Sequence, residues 1–130
     1  MPTFKFGKIV RDKTLDKIQS SGGRAVKEYL TTEDLIQALK DKLIEESHEV
    51  DDAMQPIDLT EELADVIEVV HGISQAAQIP FSEIEKSRLA KKKERGGFEE
   101  GLYIESATFD EGHKLTQYCR AQPEKYPEIK

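Results

Sequence analysis

The chain has 130 residues, of which 35% are charged and 37% hydrophobic, and a formal net charge of −7. That balance suits a single small domain with a thin core, and it excludes a nucleic-acid surface as the main function, because phosphate backbones require a Lys/Arg footprint. One cysteine, Cys119, leaves neither an internal disulfide framework nor a Cys-based metal site.

Residues 3–10 alternate loosely and read as an extended arm. Its opening, Met-Pro-Thr-Phe-Lys-Phe-Gly-Lys, lacks the apolar core of a signal peptide. No apolar run approaches membrane-spanning length, so a cytoplasmic protein with no membrane partner is expected. Residues 11–20 suit a short helix stopped by Ser21-Gly22-Gly23, and residues 24–30 an irregular or extended stretch.

The first long helix is expected after Thr31, which has capping-box spacing to Asp34. Ile36, Leu39, Leu43, Val50 and Met54 recur at helical intervals, and Gln55-Pro56 should break the helix. Asp58 is the expected N-cap of the next helix, which runs through Leu63, Val66, Ile67, Val69, Val70 and Ile73 to about Gln78. Apolarity around so much of its circumference predicts central packing and burial against a second subunit, hence a homodimer or homotetramer. Ser82 and Glu85 have the spacing to open a third helix, ending near Glu94 before Gly96-Gly97. The remainder reads as loop and tail, with at most one short helix near residues 110–119.

Charge is distributed unevenly over these elements. Positions 43 to 85 carry twelve acidic residues and no Lys or Arg. Six of the twelve fall in two clusters, Glu45-Glu46-Ser47-His48-Glu49 and Glu61-Glu62-Leu63-Ala64-Asp65. Glu46 and Glu49 share one helix face, as do Glu62 and Asp65, since three residues are nearly one turn. A short connection makes the two helices antiparallel and brings both pairs to one level. Four carboxylates at a helix seam form a hard, all-oxygen site suited to Mg²⁺ or Mn²⁺ rather than zinc. His48 lies off the shared face and His71 on the apolar helix, so neither is an expected ligand.

The longer pattern Lys42-Leu43-Ile44-Glu45-Glu46-x-x-Glu49, then Glu61-Glu62-Leu63-Ala64-Asp65-Val66, resembles the all-α NTP pyrophosphatase superfamily of the MazG type. Two further segments are similar to its phosphoribosyl-ATP pyrophosphohydrolase-like branch: Lys8-Ile9-Val10-Arg11-Asp12-Lys13 and Lys93-Glu94-Arg95-Gly96-Gly97-Phe98. The resemblance implies an all-α, MazG-like helical bundle over residues 1–105, with a short extended N-terminal arm and completed by oligomerisation. Residues 106–130 form an irregular tail of no assigned role. It implies Mg²⁺-dependent hydrolysis of a nucleoside triphosphate, or a phosphoribosyl-ATP-like nucleotide, between the α and β phosphates, giving the monophosphate and pyrophosphate. In that reading Glu46, Glu49, Glu62 and Asp65 hold the metal, with Mn²⁺ able to replace Mg²⁺. Glu45 or Glu49 activates the attacking water.

Cations for the phosphates are expected from the third helix, where six Lys and Arg fall within ten residues. Lys92, Lys93 and Arg95 are the candidates there, and Arg11 and Lys13 in the N-terminal segment. Many MazG-type members carry an Asn and Lys pair on the helix after the metal ligands, where this chain reads Lys86-Ser87-Arg88, so its phosphate contacts should be arranged differently. The competing reading is a non-catalytic helical module for nucleotide sensing or protein binding. An intact set of four acids argues against it, because a module without metal gains stability by replacing them.

Overall fold

The computed structural model describes all 130 residues as five helices and no strands. They are α1 (Thr14–Ser20), α2 (Thr32–Asp52), α3 (Pro56–Ala76), α4 (Phe81–Arg95) and α5 (Lys114–Arg120). The architecture is therefore all-α, consistent with a MazG-like bundle. No helix is long and apolar enough to cross a membrane. Two compact units divide the chain, Met1–Glu94 and Arg95–Lys130.

In the first unit, α2 starts where the capping chemistry places it. Thr31 is extended, and its hydroxyl accepts from the Asp34 backbone N–H at 3.4 Å. The start of α3 corrects the sequence reading. Gln55 is the N-cap and Pro56 the first helical residue, while Asp58 sits in the first turn, where its charge complements the helix dipole. Similarly, α4 begins at Phe81, so Ser82 lies inside the helix rather than capping it. Gln78 closes α3 in the left-handed region (φ 57°). The N–H groups of Ile79 and Gln78 donate back to the carbonyls of Ser74 (2.9 Å) and Gln75 (3.2 Å), and Pro80 prevents continuation.

α2 and α3 pack against one another as an antiparallel hairpin. The contact is close where α3 has no side chain: a β-carbon on Gly72 would stand 3.3 Å from Leu39 Cδ2. Seven residues nearer the turn on α2, and seven nearer it on α3, lie Glu46 and Asp65. Leu35, Ile36, Leu39, Leu43 and Val50 of α2 are half-buried, as are Val66, Val70 and Ile73 of α3. Val69 is the one buried hydrophobic side chain, and Glu46 and Ser74 are buried with it. The hairpin keeps much apolar surface in solvent, with Ile44 60%, Leu63 45% and Ile67 56% exposed. His71 is exposed and stacks on Phe81 with ring centroids 3.9 Å apart, fixing the α3–α4 corner.

The second unit is organised around Arg120 at the end of α5. Its guanidinium donates to both carboxylate oxygens of Glu111 (2.7 and 2.9 Å) and to Glu128 (2.7 Å). His113 caps α5, its Nδ1 accepting from the Leu115 N–H at 3.0 Å, and its ring stacks on Phe109. The residues read as an irregular tail thus have local order of their own.

Candidate active site

The antiparallel register carries the acids of both clusters to one place. One carboxylate oxygen from each of Glu46, Glu49, Glu62 and Asp65 lies within 4.8 Å of all the others. Burial grades across the set: Glu46 is 6% exposed, Glu62 and Asp65 are half-buried, and Glu49 opens to solvent. Glu46 Oε2 and Glu62 Oε2 are buried with no hydrogen-bond partner. Buried carboxylate oxygens without donors are costly, by about 1–3 kcal/mol each. The two residues that carry them belong to the four-carboxylate cluster, whose all-oxygen donor set fits a hard divalent cation. Burial, followed by the hydrogen bond and charge of Glu49, pushes the Glu46 carboxyl above the usual range; Asp65 adds to the shift and Lys42 opposes it.

Positive charge reaches the cluster from places the uninterrupted acidic run does not suggest. Lys42, one turn before Glu46, places Nζ 3.4 Å from Glu46 Oε1 and 3.2 Å from Glu45 Oε2. The N-terminal arm supplies the rest. Lys8 donates to Glu45 Oε1, and Arg11 Nη2 donates to Asp65 Oδ1 at 2.7 Å.

Glu45 consequently stands apart from the four converging acids, with both oxygens engaged by lysines. The Lys8 hydrogen bond, opposed by burial and supported by Lys42, holds its carboxyl below the usual range. A carboxylate so paired is a weak base. Glu49 is the one member of the set open to solvent, and so the better placed of the two to meet a water molecule.

Of the expected phosphate-binding residues, Arg11 joins the cluster through Asp65. Lys13 is the N-cap residue of α1, its carbonyl accepting from the Lys17 N–H. Lys92 and Lys93 lie exposed on α4, and Arg95 is the last residue of that helix, where the second unit begins. Lys8 and Lys42 were missed as site residues although both fall inside the matching segments. The signal available was the charge deficit of positions 43–85, which has to be met from outside that stretch. His48 is exposed and outside the cluster. A cleft of about 930 Å³ in the second unit is lined by Phe109, Cys119, Arg120 and Tyr126 among others, but its guanidinium is already neutralised by Glu111 and Glu128.

Comparison with curated proteins and with solved structures returned no match. Residues 35–97, just under half of the chain, match the family model of the MazG nucleotide pyrophosphohydrolase domain. The matched segment runs from the first turn of α2 past the end of α4, and all four converging acids lie within it. The match supports the MazG-like all-α superfamily and, with it, a hydrolase acting on the phosphoric anhydrides of nucleotides.

Proposed function

We propose that the protein cleaves a nucleoside triphosphate, or a phosphoribosyl-ATP-like nucleotide, between the α and β phosphates, with Mg²⁺ held by Glu46, Glu49, Glu62 and Asp65. The observation that carries the reading is the convergence of four carboxylates within 4.8 Å, two of them with orphaned buried oxygens. Bound Mg²⁺, or Mn²⁺ in its place, supplies the positive charge that an acidic pocket needs to accept a polyanion and stabilise the leaving pyrophosphate.

The protein groups divide the remaining work. Glu46, buried and restrained by Lys42, fixes the floor of the site. Glu49, solvent-facing, accepts the proton of the attacking water; Glu45, paired with Lys42 and outside the converging set, is not placed for that role. Arg11, Lys13, Lys92, Lys93 and Arg95 are the candidates for phosphate oxygens. A second copy covering the exposed apolar positions of the hairpin, Ile44, Leu63 and Ile67, would give a homodimer or homotetramer and drier walls around the site.

The test is pyrophosphate release from a panel of nucleoside triphosphates and phosphoribosyl-ATP, with and without Mg²⁺. Release is expected only with metal. Glu49→Gln should lower kcat by about a hundredfold or more, as for loss of a positioned base. Absence of release from every member of the panel would overturn the proposal, and the preferred member identifies the branch.

A further inference from the structure

The arm that brings Lys8 and Arg11 to the hairpin has almost no packing to explain its position. Phe4 is 75% exposed, Phe6 57% and Val10 41%; Ile9 alone among its apolar residues is half-buried. What attaches it is charge. Gly7, in the left-handed region (φ 59°), turns the chain just before Lys8, and the Arg11 carbonyl accepts from the Thr14 N–H at 3.0 Å, so α1 anchors the far end. Between these points two cations three residues apart reach different helices. Lys8 takes Glu45 of α2, and Arg11 takes Asp65 of α3. The arm therefore straddles the seam at the level of the carboxylate cluster.

We propose that the arm is an exchangeable counter-ion clasp: Lys8 and Arg11 neutralise the acidic site while it lacks metal, and transfer to the substrate's phosphates once metal and nucleotide bind. The inference rests on the hydrolase reading above and adds Lys8 to the substrate-positioning residues. Asp65 is the pivot, since it belongs to the four-carboxylate set and to the ion pair with Arg11. A cation on Asp65 competes with the metal for that charge. Both pairs are solvent-facing, with the Lys8 side chain 44% and the Arg11 side chain 61% exposed. Exposed pairs contribute little and exchange readily. A triphosphate offers a better partner, because guanidinium binds phosphate oxygens through two parallel hydrogen bonds and carries a charge that carboxylate-held metal does not fully supply. A purely structural tether would instead bury the arm's apolar side chains and need neither exposed cation.

The two roles separate experimentally because they pull in opposite directions. Metal binding is read without nucleotide, by calorimetric titration of Mn²⁺ or by melting temperature against Mg²⁺ concentration. Arg11→Gln should bind the metal about three- to fivefold more tightly, the scale of one removed exposed ion pair. Its KM for pyrophosphate release should rise about tenfold or more, with a smaller change in kcat. Arg11→Lys keeps the charge and should return metal affinity to near the native value while only partly restoring KM. Lys8→Met should raise KM and tighten metal binding less than Arg11→Gln does, since its partner Glu45 is outside the carboxylate set and Lys8 acts on Glu46 and Glu49 only through their charge. Unchanged or weaker metal binding in Arg11→Gln would overturn the clasp, whatever happens to activity. If no substrate is cleaved by the native protein, the hydrolysis reading fails while the metal titration still decides whether the arm competes for the site.

Discussion

Replacing Glu46 with Gln tests the centre of the site without requiring turnover. Glu46 is the most buried charged residue, and three other carboxylates stand within 4.8 Å of it. At an effective dielectric of about 20, two like unit charges 4.8 Å apart repel by about 3.5 kcal/mol, and Lys42 at 3.4 Å attracts by about 5 kcal/mol. Three repulsions therefore outweigh one attraction. Proton uptake limits the penalty: protonating a carboxyl of ordinary value 4.5 at pH 7 costs about 3.4 kcal/mol, so the charge destabilises the metal-free fold by no more than that. Allowing for relaxation of the open Glu49, removal of the charge should stabilise by about 1–3 kcal/mol, or about 3–10 °C in melting temperature for a chain of this size. Lys42 keeps a partner in Glu45 at 3.2 Å, so the substitution orphans no cation. The assay is thermal unfolding in chelator and again with Mg²⁺. Glu46→Gln should melt higher than the native protein in chelator, and Mg²⁺ should shift it little, whereas the native protein gains by mass action. A lower melting temperature for the variant in chelator would refute the reasoning, because Glu46 would then be a net stabilising partner of Lys42.

The pH dependence has two separate windows. Because the folded Glu46 carboxyl titrates above its unfolded value, the native state binds the extra proton, and metal-free stability should fall as pH rises from 4.5 through the folded value. Glu45, held low by Lys8, contributes stability above 4.5 that is lost as pH falls through its folded value. Melting temperatures in chelator across this range should show the upper decline in the native protein and not in Glu46→Gln. Gly72→Val would force a branched side chain against Leu39, already 3.3 Å from the position of a β-carbon. It should destabilise by about 2–3 kcal/mol in urea unfolding and, by spreading the hairpin, remove the Mg²⁺-induced shift in melting temperature. Ile67→Glu should convert the proposed homodimer or homotetramer to a monomer by light scattering, while a native protein of monomeric mass would dispose of the assembly.

The hairpin was legible because its signals are local and repeat. Helical spacing of apolar residues fixes α2 and α3, and spacing of three puts the acids of each helix on one face. A three-residue connection leaves one antiparallel register, which places Glu46 and Glu49 opposite Asp65 and Glu62. Helix starts were less legible where two start signals compete. Asp58 reads as a cap, but Pro56 already supplies the fixed φ of a first helical residue, leaving Asp58 to interact with the dipole. The positive charge at the cluster was legible only in part, through Arg11, and for a different reason. A charge count along the chain ranks the basic stretch of α4 first, yet the cations that meet Glu45 and Asp65 come from 37 and 54 residues upstream. The short helix expected near residues 110–119 is present as α5, but the ion pairs that organise the tail around it escaped for the same reason. Arg120 joins acids eight and nine residues away, a spacing with no helical or strand period to reveal it.

The thin core and the buried acid are two aspects of one arrangement. The single buried hydrophobic residue, Val69, lies one turn beyond Asp65 on the same face of α3, so the most buried part of the hairpin adjoins the carboxylates. Low water content strengthens every charge interaction there. It makes four converging acids with only two cations between them unfavourable, and it would make a cation seated among them an effective hold on phosphate. A sequence selected for stability alone would replace Glu46 with an apolar residue and close the seam. The presence of Glu46, restrained by Lys42 and left with an orphaned oxygen, fits the proposed ligand role better than a role in metal-free stability. Apolar surface left exposed at Leu63 and Ile67 extends the same logic outward, since any cover over it would dry the site further while adding the burial the isolated chain lacks.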